Sequence, residues 1–182
     1  SQKAQLPGVT IHPSFRPYQL VGVISPWNFP LLLGCIDAIP ALAAGCAVII
    51  KPSEVTPRFL APLARSIERV PVLRDLFGTV EGAAEVGQAL IPQVDFVCFT
   101  GSTEVGELIA AAGAKAFTPV SLELGGKDPA IVLPGADIDR AAAGILWGGT
   151  GNAGQSCLSI ERVYAHADIY DDFVGKIAAL AN

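Results

Sequence analysis

Residues 94–113 read VDFVCFTGSTEVGELIAAAG. Val94 to Thr100 is apolar apart from Asp95 and Thr100 and too short for a helix, so a buried strand is predicted there. Ser102 to Ala112 follows with no linker and carries apolar residues at helical spacing. The helix is expected to stop at Gly113, the residue type that most readily takes the left-handed conformation closing a helix. A strand running straight into a helix is half of a βαβ unit. The turn between them, Thr100-Gly101-Ser102-Thr103-Glu104-Val105-Gly106, points backbone N–H groups and the positive end of a helix at whatever lies beyond the strand. That favours a pyrophosphate. The turn is not the ordinary dinucleotide fingerprint, because no second glycine falls at position 103.

The same rhythm extends both ways. Upstream, Leu20 to Ile24 and Cys46 to Ile50 read as buried strands, with a weaker strand around Thr79-Val80. Between them lie a helix from Leu31 to Ala44, kinked or broken by Pro40, and another to about Arg69 that Thr56 caps and Pro57 opens. A helix near Ala83 to Leu90 follows. Downstream come strands at Pro119 to Leu124, Ala130 to Leu133 and Glu161 to Ala165. Helices at Asp137 to Trp147, with Asp137 as cap, and at Asp168 to Leu180 complete the pattern. Such alternation predicts an α/β protein with a mostly parallel sheet. Residues 1–19 are polar and punctuated by proline. Val9 to His12 followed by Phe15 to Tyr18 reads as a hairpin or an extended arm. The chain stops at Asn182 directly after a helix, which reads as a fragment.

Composition narrows the function. Of 182 residues, 51% are hydrophobic and only 16% charged, enough to bury a sizeable core. Seventeen acids against twelve bases give a net charge of −5 with no basic stripe, which argues against nucleic-acid and anionic-membrane partners. The longest apolar stretch, near residues 29–50, is interrupted by Asp37, prolines and glycines, so no membrane span is expected. Cys35, Cys46 and Cys98 sit in apolar runs and read as reduced core thiols. No C-x-x-C pair exists and the histidines are only His12 and His166, so a zinc site is not expected. Ser1-Gln2-Lys3 does not read as a secretory leader, and a cytoplasmic location is expected.

In open parallel sheets, ligands bind beyond the carboxyl ends of the strands. Loops at those ends here carry unusual polar residues. In Ser25-Pro26-Trp27-Asn28-Phe29-Pro30, Asn28 has an amide suited to a developing oxyanion, although asparagine in a turn is commonly structural. In Lys51-Pro52-Ser53-Glu54, Lys51 suits hydroxyls or phosphate and Glu54 the two hydroxyls of a ribose; a solvated loop with Ser53 or Thr56 as helix cap fits equally. Gly149-Thr150-Gly151-Asn152-Ala153-Gly154 matches G-x-G-x-x-G but follows a helical pattern, and is read as a flexible loop presenting Cys157. That polar, glycine-rich setting suits a reactive thiol, although a lone cysteine is more often structural. Glu123, between Leu122 and Leu124, reads either as a buried carboxylate poised as a base or as a glutamate on the solvent face of an alternating strand.

Taken together these segments resemble the aldehyde dehydrogenase superfamily from about Gln19 to Val174. The matching signatures stand in the family's order: Ser25 to Pro30, Lys51 to Glu54, Phe99 to Gly106, Leu122-Glu123-Leu124-Gly125-Gly126-Lys127, and Gly154-Gln155-Ser156-Cys157. The resemblance implies oxidation of a small-molecule aldehyde through a thiohemiacetal and a thioester. It makes Cys157 the nucleophile, Glu123 the base that activates water, and Asn28 with the Cys157 N–H the oxyanion hole. It places Lys51, Ser53 and Glu54 at the adenosine ribose, Gly101 and Ser102 at the pyrophosphate, and Pro26, Trp27, Val105 and Leu124 along the cofactor cleft. NAD is favoured over NADP, because a carboxylate at Glu54 repels a 2′-phosphate; NADP stays open since Lys51 is near. The resemblance further implies a partial oligomerisation arm at 1–19, a partial Rossmann-like dinucleotide-binding domain at 20–124, the beginning of a second α/β catalytic domain at 125–182, and a homo-oligomeric parent. Family members are far longer, so the isolated 182-residue chain is expected to be inactive. The rival is a non-catalytic nucleotide-binding or structural member of the same fold, against which the joint presence of Cys157 and Glu123 argues. An acylating relative, which often lacks the base, is opposed by Glu123.

Overall fold

The computed structural model describes residues 2–3 and 10–182. Strands β1 (Gln2–Lys3) and β2 (Thr10–Ile11) pair antiparallel at its start. The expected partner segment Phe15 to Tyr18 forms no strand, and Val9 lies outside the described residues. The rest is α/β, in two compact units: Ser1–Thr100 with Val105–Leu122, and Gly101–Glu104 with Glu123–Asn182.

The first unit runs β3 (Leu20–Ile24), α1 (Pro30–Cys35), α2 (Ala38–Ala44), β4 (Ala47–Lys51), α3 (Leu60–Ile67), α4 (Pro71–Arg74), β5 (Phe77–Thr79), α5 (Ala84–Leu90), β6 (Phe96–Thr100) and α6 (Thr103–Ala116). Strand β7 (Val120–Glu123) follows, and the boundary between units falls inside it. Sheet order is β5-β4-β3-β6-β7, with β3/β4, β3/β6 and β4/β5 parallel. The chain builds outward on one side of β3 and then crosses to the other, so the order reverses between β3 and β6, the arrangement of a dinucleotide-binding half-fold. Val21, Val23, Val48 and Ile50 form the core with Ala38, Cys46 and Leu60. Burying each of the larger of these side chains stabilises the unit by about 1.5–3 kcal/mol.

Three local readings are corrected. The break expected at Pro40 in the 31–44 helix occurs, but earlier, at Ile36-Asp37, giving two helices. The ring of Pro40 excludes the carbonyl of residue 36 and brings no N–H, so it is tolerated only in the first turn of a fresh helix. Thr56 caps nothing by its side chain: Thr56 Oγ1 donates to the Trp27 carbonyl at 3.1 Å, and a single 3-10 turn, Pro57–Phe59, precedes α3. Helix α6 runs through Gly113 to Ala116 and ends where Phe117 takes φ 57°. A Cβ on Gly113 would lie 2.6 Å from Val120 Cγ1 and 2.8 Å from the Thr118 carbonyl oxygen. The glycine therefore allows close packing inside the helix rather than ending it.

The second unit holds β8 (Asp128–Val132), α7 (Ile138–Thr150), β9 (Ile160–Ala165) and α8 (Tyr170–Ala181). The two strands are parallel, and Val132, Ala142 and Phe173 form the core between them and the helices. Asp137 caps α7 as expected, its Oδ1 accepting from the Arg140 N–H at 3.1 Å. Among the described residues, no helix is long and apolar enough to cross a membrane and no His/Cys/Asp/Glu group is placed to hold a metal.

Candidate functional site

In the first unit, register aligns Ile24 with Lys51 and Ile24 with Phe99. Strands β3, β4 and β6 therefore end on the same edge of the sheet, at the point of order reversal. Ser25 opens the first loop, buried, with its N–H donating to the Lys51 carbonyl at 3.0 Å. Pro26 and Asn28 are half-buried and Trp27 is exposed. The Thr56–Trp27 hydrogen bond ties this loop to the one leaving β4.

Lys51 is not the solvated lysine of an ordinary loop. It is only 4% exposed, and its Nζ donates to the Pro52 carbonyl at 2.9 Å and pairs with Glu54 Oε2 at 3.5 Å. Burying an ammonium is costly unless it is paired and hydrogen-bonded, and here it is both. The Glu54 carboxylate stays largely in solvent. Hydrogen bonding to its own backbone N–H holds its pKa below the ordinary carboxylate value against the smaller opposing effect of burial, and the charge and hydrogen bond of Lys51 lower it further by less. Ser53, half-buried, accepts from the Val55 N–H at 3.3 Å. Val105 lies exposed in the first turn of α6. A buried cation beside an ionised, accessible carboxylate matches the donors and acceptors of a ribose and its phosphates, so these residues fit a dinucleotide.

In the second unit, the Gly101 N–H donates to the Glu123 carbonyl at 3.0 Å, which brings the Gly101-Ser102 turn to the end of β7. Leu124 is half-buried just beyond. The chain then passes Gly126, where an added Cβ would stand 2.7 Å from the Cys157 carbonyl oxygen and 2.5 Å from Asp128 Oδ2. Backbone thus packs on backbone between the link that leads from Glu123 to β8 and the turn bearing Cys157. The G-x-G-x-x-G match begins in the last two residues of helix α7 and follows no strand, as expected. It makes a tight turn, Gly151–Gly154, with Asn152 and Ala153 left-handed at φ 51° and 59°. Cys157 follows, half-buried, in a second turn closed by the Ser159 N–H on the Ser156 carbonyl (3.0 Å) and the Leu158 N–H on Ser156 Oγ (3.2 Å).

Of the two readings of Glu123, the structure takes the solvent-facing one: it is exposed and alternates with half-buried Leu122 along β7, and a buried carboxylate is not found here. Period-two alternation decides this, because successive side chains leave opposite faces of a strand. The other thiols behave as core groups. Burial pushes Cys35 up, and burial followed by the charge of Asp37 pushes Cys98 up to about 11. All four cysteines are free.

The structure therefore gathers Glu123, Leu124, Gly101, Ser102 and Cys157 in the second unit, and places Asn28, Pro26, Trp27, Lys51, Ser53, Glu54 and Val105 in the first. Sequence reasoning missed the tether made by Thr56, which it read as a cap, and the contact of Gly126, which no spacing distinguishes from Gly125. An open cleft of about 580 Å³ lined by Ala64, Ile67, Glu68, Arg74, Phe77 and Thr79 contains none of the expected site residues.

Residues 2–182 match the model of the aldehyde dehydrogenase family. Among curated proteins, a “putative succinate-semialdehyde dehydrogenase” of Mycolicibacterium smegmatis, designated for NADP(+), is 42% identical over 94% of this chain and 34% of its own length. The chain thus spans about a third of the curated relatives it matches. Among solved structures, the “putative aldehyde dehydrogenase PutA” of Anabaena variabilis is 57% identical with a TM-score of 0.89, over 91% of this chain and 36% of that one. Lactaldehyde dehydrogenase of Escherichia coli is 42% identical with a TM-score of 0.87, over 91% and 35%.

Proposed function

The chain belongs to the aldehyde dehydrogenase family, and on that premise we propose that the protein carrying it oxidises an aldehyde to a carboxylic acid, with NAD as the preferred dinucleotide and NADP as the alternative. The first unit serves as the dinucleotide-binding domain and the second as the beginning of the catalytic domain. Residues 1–19 belong to an oligomerisation arm of a homo-oligomer, and the protein is cytoplasmic.

The dinucleotide, when bound, supplies the hydride acceptor. Lys51, Ser53 and Glu54 hold its adenosine ribose. An ionised carboxylate accepts from the 2′- and 3′-hydroxyls and repels a 2′-phosphate, which favours NAD. Gly101 and Ser102 serve the pyrophosphate, and Pro26, Trp27, Val105 and Leu124 line the cleft.

The Cys157 thiolate attacks the aldehyde carbon; a C–S bond forms and the carbonyl π pair moves to oxygen. The Asn28 amide and the Cys157 N–H stabilise that developing charge. The oxyanion pair re-forms C=O as hydride leaves the carbon, giving a thioester on Cys157. Glu123 takes a proton from water, the resulting hydroxide adds to the thioester carbon, and the C–S bond breaks to release the acid and the thiolate. Dividing one hard oxidation into two steps is the advantage of a covalent nucleophile. The exposure of Glu123 suits a base whose partner is water.

The observation that carries this reading is the packing of Gly126, three residues beyond Glu123, on the Cys157 carbonyl within one unit. In the polypeptide carrying this chain, Cys157→Ala is expected to abolish aldehyde-dependent NADH production while NAD binding persists. Glu123→Gln is expected to keep the first-turnover burst and slow the steady state by about 10²–10⁴-fold. A wild-type protein that binds NAD yet oxidises no aldehyde would favour the non-catalytic reading, and a Cys157→Ala protein that still turns over would exclude Cys157 as nucleophile.

A further inference from the structure

The segment that leaves β4 carries Lys51 and Glu54, and within the same unit it also holds the segment around Asn28. At the end of β3, the Ser25 N–H donates to the Lys51 carbonyl at 3.0 Å. In the loop that follows, the Trp27 carbonyl accepts from Thr56 Oγ1 at 3.1 Å. Further on, the Phe59 ring lies against Gly34 of α1, so closely that a Cβ on Gly34 would stand 3.1 Å from Phe59 Cζ. Asn28 lies between Trp27 and Gly34, so its stretch of chain is braced on both sides by residues that directly follow Glu54.

Thr56 is bonded in two directions. Its backbone N–H donates to the Ser53 carbonyl at 3.2 Å, and the Val55 N–H donates to Ser53 Oγ at 3.3 Å, so residues 53–56 form a closed turn with Glu54 inside it. Its hydroxyl holds the Trp27 carbonyl. That carbonyl and the Asn28 N–H belong to one planar peptide unit, so holding the oxygen fixes the plane from which the Asn28 side chain departs. A donor that serves a developing charge is effective when it is aimed before the charge appears, and small misplacements are expensive in rate.

We propose that Thr56 is a positioning residue that links the turn displaying Glu54 to the backbone that aims Asn28, a role that rests on the dehydrogenase reading above. The two tasks fall to different groups of one residue. The backbone N–H shapes the ribose turn, and the side-chain hydroxyl aims the oxyanion donor. Removing the hydroxyl alone therefore separates catalysis from dinucleotide binding, because the turn keeps both of its hydrogen bonds.

The test uses the polypeptide carrying this chain with butanal and succinate semialdehyde, each with NAD and with NADP, and follows the pair turned over fastest. Thr56→Val keeps a similar shape and the backbone N–H but lacks the hydroxyl. Its kcat/KM for the aldehyde at saturating dinucleotide is expected to fall about three- to tenfold, the scale of one lost hydrogen bond, while the dinucleotide Kd measured by calorimetry stays within about twofold. Thr56→Ser, which retains the hydroxyl, is expected to restore the rate. In an Asn28→Ala background, Thr56→Val is expected to cost less than about twofold more, because the group it aims is gone. An unchanged kcat/KM in Thr56→Val, a Kd that weakens as much as the rate falls, no rescue by serine, or an equal loss in both backgrounds overturns the inference and leaves the dehydrogenase reading standing. Wild-type kcat/KM in Asn28→Ala overturns the oxyanion role and that of Thr56 with it. Turnover of neither aldehyde by the wild type overturns the dehydrogenase reading itself.

Discussion

Gly125 and Gly126 are adjacent and chemically identical, yet the structure gives them opposite tolerances. An alanine Cβ at 126 would meet the Cys157 carbonyl oxygen at 2.7 Å and Asp128 Oδ2 at 2.5 Å, whereas one at 125 meets nothing within 4 Å. The Asp128 side chain can rotate, but the carbonyl belongs to a turn closed by two hydrogen bonds. Relief therefore needs the turn to retreat by roughly 0.5 Å, and such overpacking costs about 1–3 kcal/mol. For a chain of this length that corresponds to a fall in Tm of roughly 3–10 °C. Gly125→Ala should stay within about 0.5 kcal/mol of wild type. Because the displaced turn is the one bearing the thiol, Gly126→Ala should also slow turnover about tenfold, since an ångström of misplacement can cost about a hundredfold. The assay is paired thermal unfolding of the two variants, followed by their aldehyde turnover with NAD. Equal melting of the two, or a greater loss at 125, would refute the claim that bare backbone at Gly126 seats the thiol turn.

Glu54→Gln removes the charge that repels a 2′-phosphate while keeping the shape, so the ratio of NADP to NAD kcat/KM should rise by about tenfold; no change would remove Glu54 from the ribose site. Cys98, raised from 9.0 to about 11 by burial and by Asp37, is neutral in the folded chain up to high pH. A group whose folded pKa is raised contributes stability that is complete below pH 9 and is lost between about pH 9 and 11; because Cys98 is only half-buried and solvent screens it, the loss is about 1 kcal/mol. Chemical denaturation across that range should show the loss, and Cys98→Ala should flatten it. Gly113→Ala should destabilise the first unit by about 1–3 kcal/mol despite alanine's higher helix propensity, because its Cβ meets Val120 and the Thr118 carbonyl; a stabilised variant would restore the capping interpretation.

Periodicity made the fold legible. Short apolar runs alternating with helical spacing located β3, β4 and β6 and the helices beside them, because burial leaves a central parallel strand few residue types to choose from. Asp137 was legible for the same local reason, since a cap acts within three residues. Cys157 was singled out by its glycine-rich surroundings, and the segments shared with the family singled out Glu123, Lys51 and Glu54 for the proposed site. The misreadings have a common physical origin. Gly113 has the composition of a helix stop, but its neighbours Thr118 and Val120 are brought to it by the chain's return after Phe117, which no window ending at Gly113 contains. Thr56 precedes a proline as a cap would, yet its hydroxyl is claimed by a carbonyl 29 residues away. Gly126 meets Cys157 across a still longer stretch of chain. Local pattern determines which element forms; what an element's small and polar residues are for depends on the surface that arrives against them. In an α/β chain the residues serving chemistry stand at strand ends, where such arrivals are made by loops from other parts of the sequence. The site is therefore the place where a reading confined to neighbours along the chain runs out first, and where the contacts of Thr56 and Gly126 add what spacing alone does not contain.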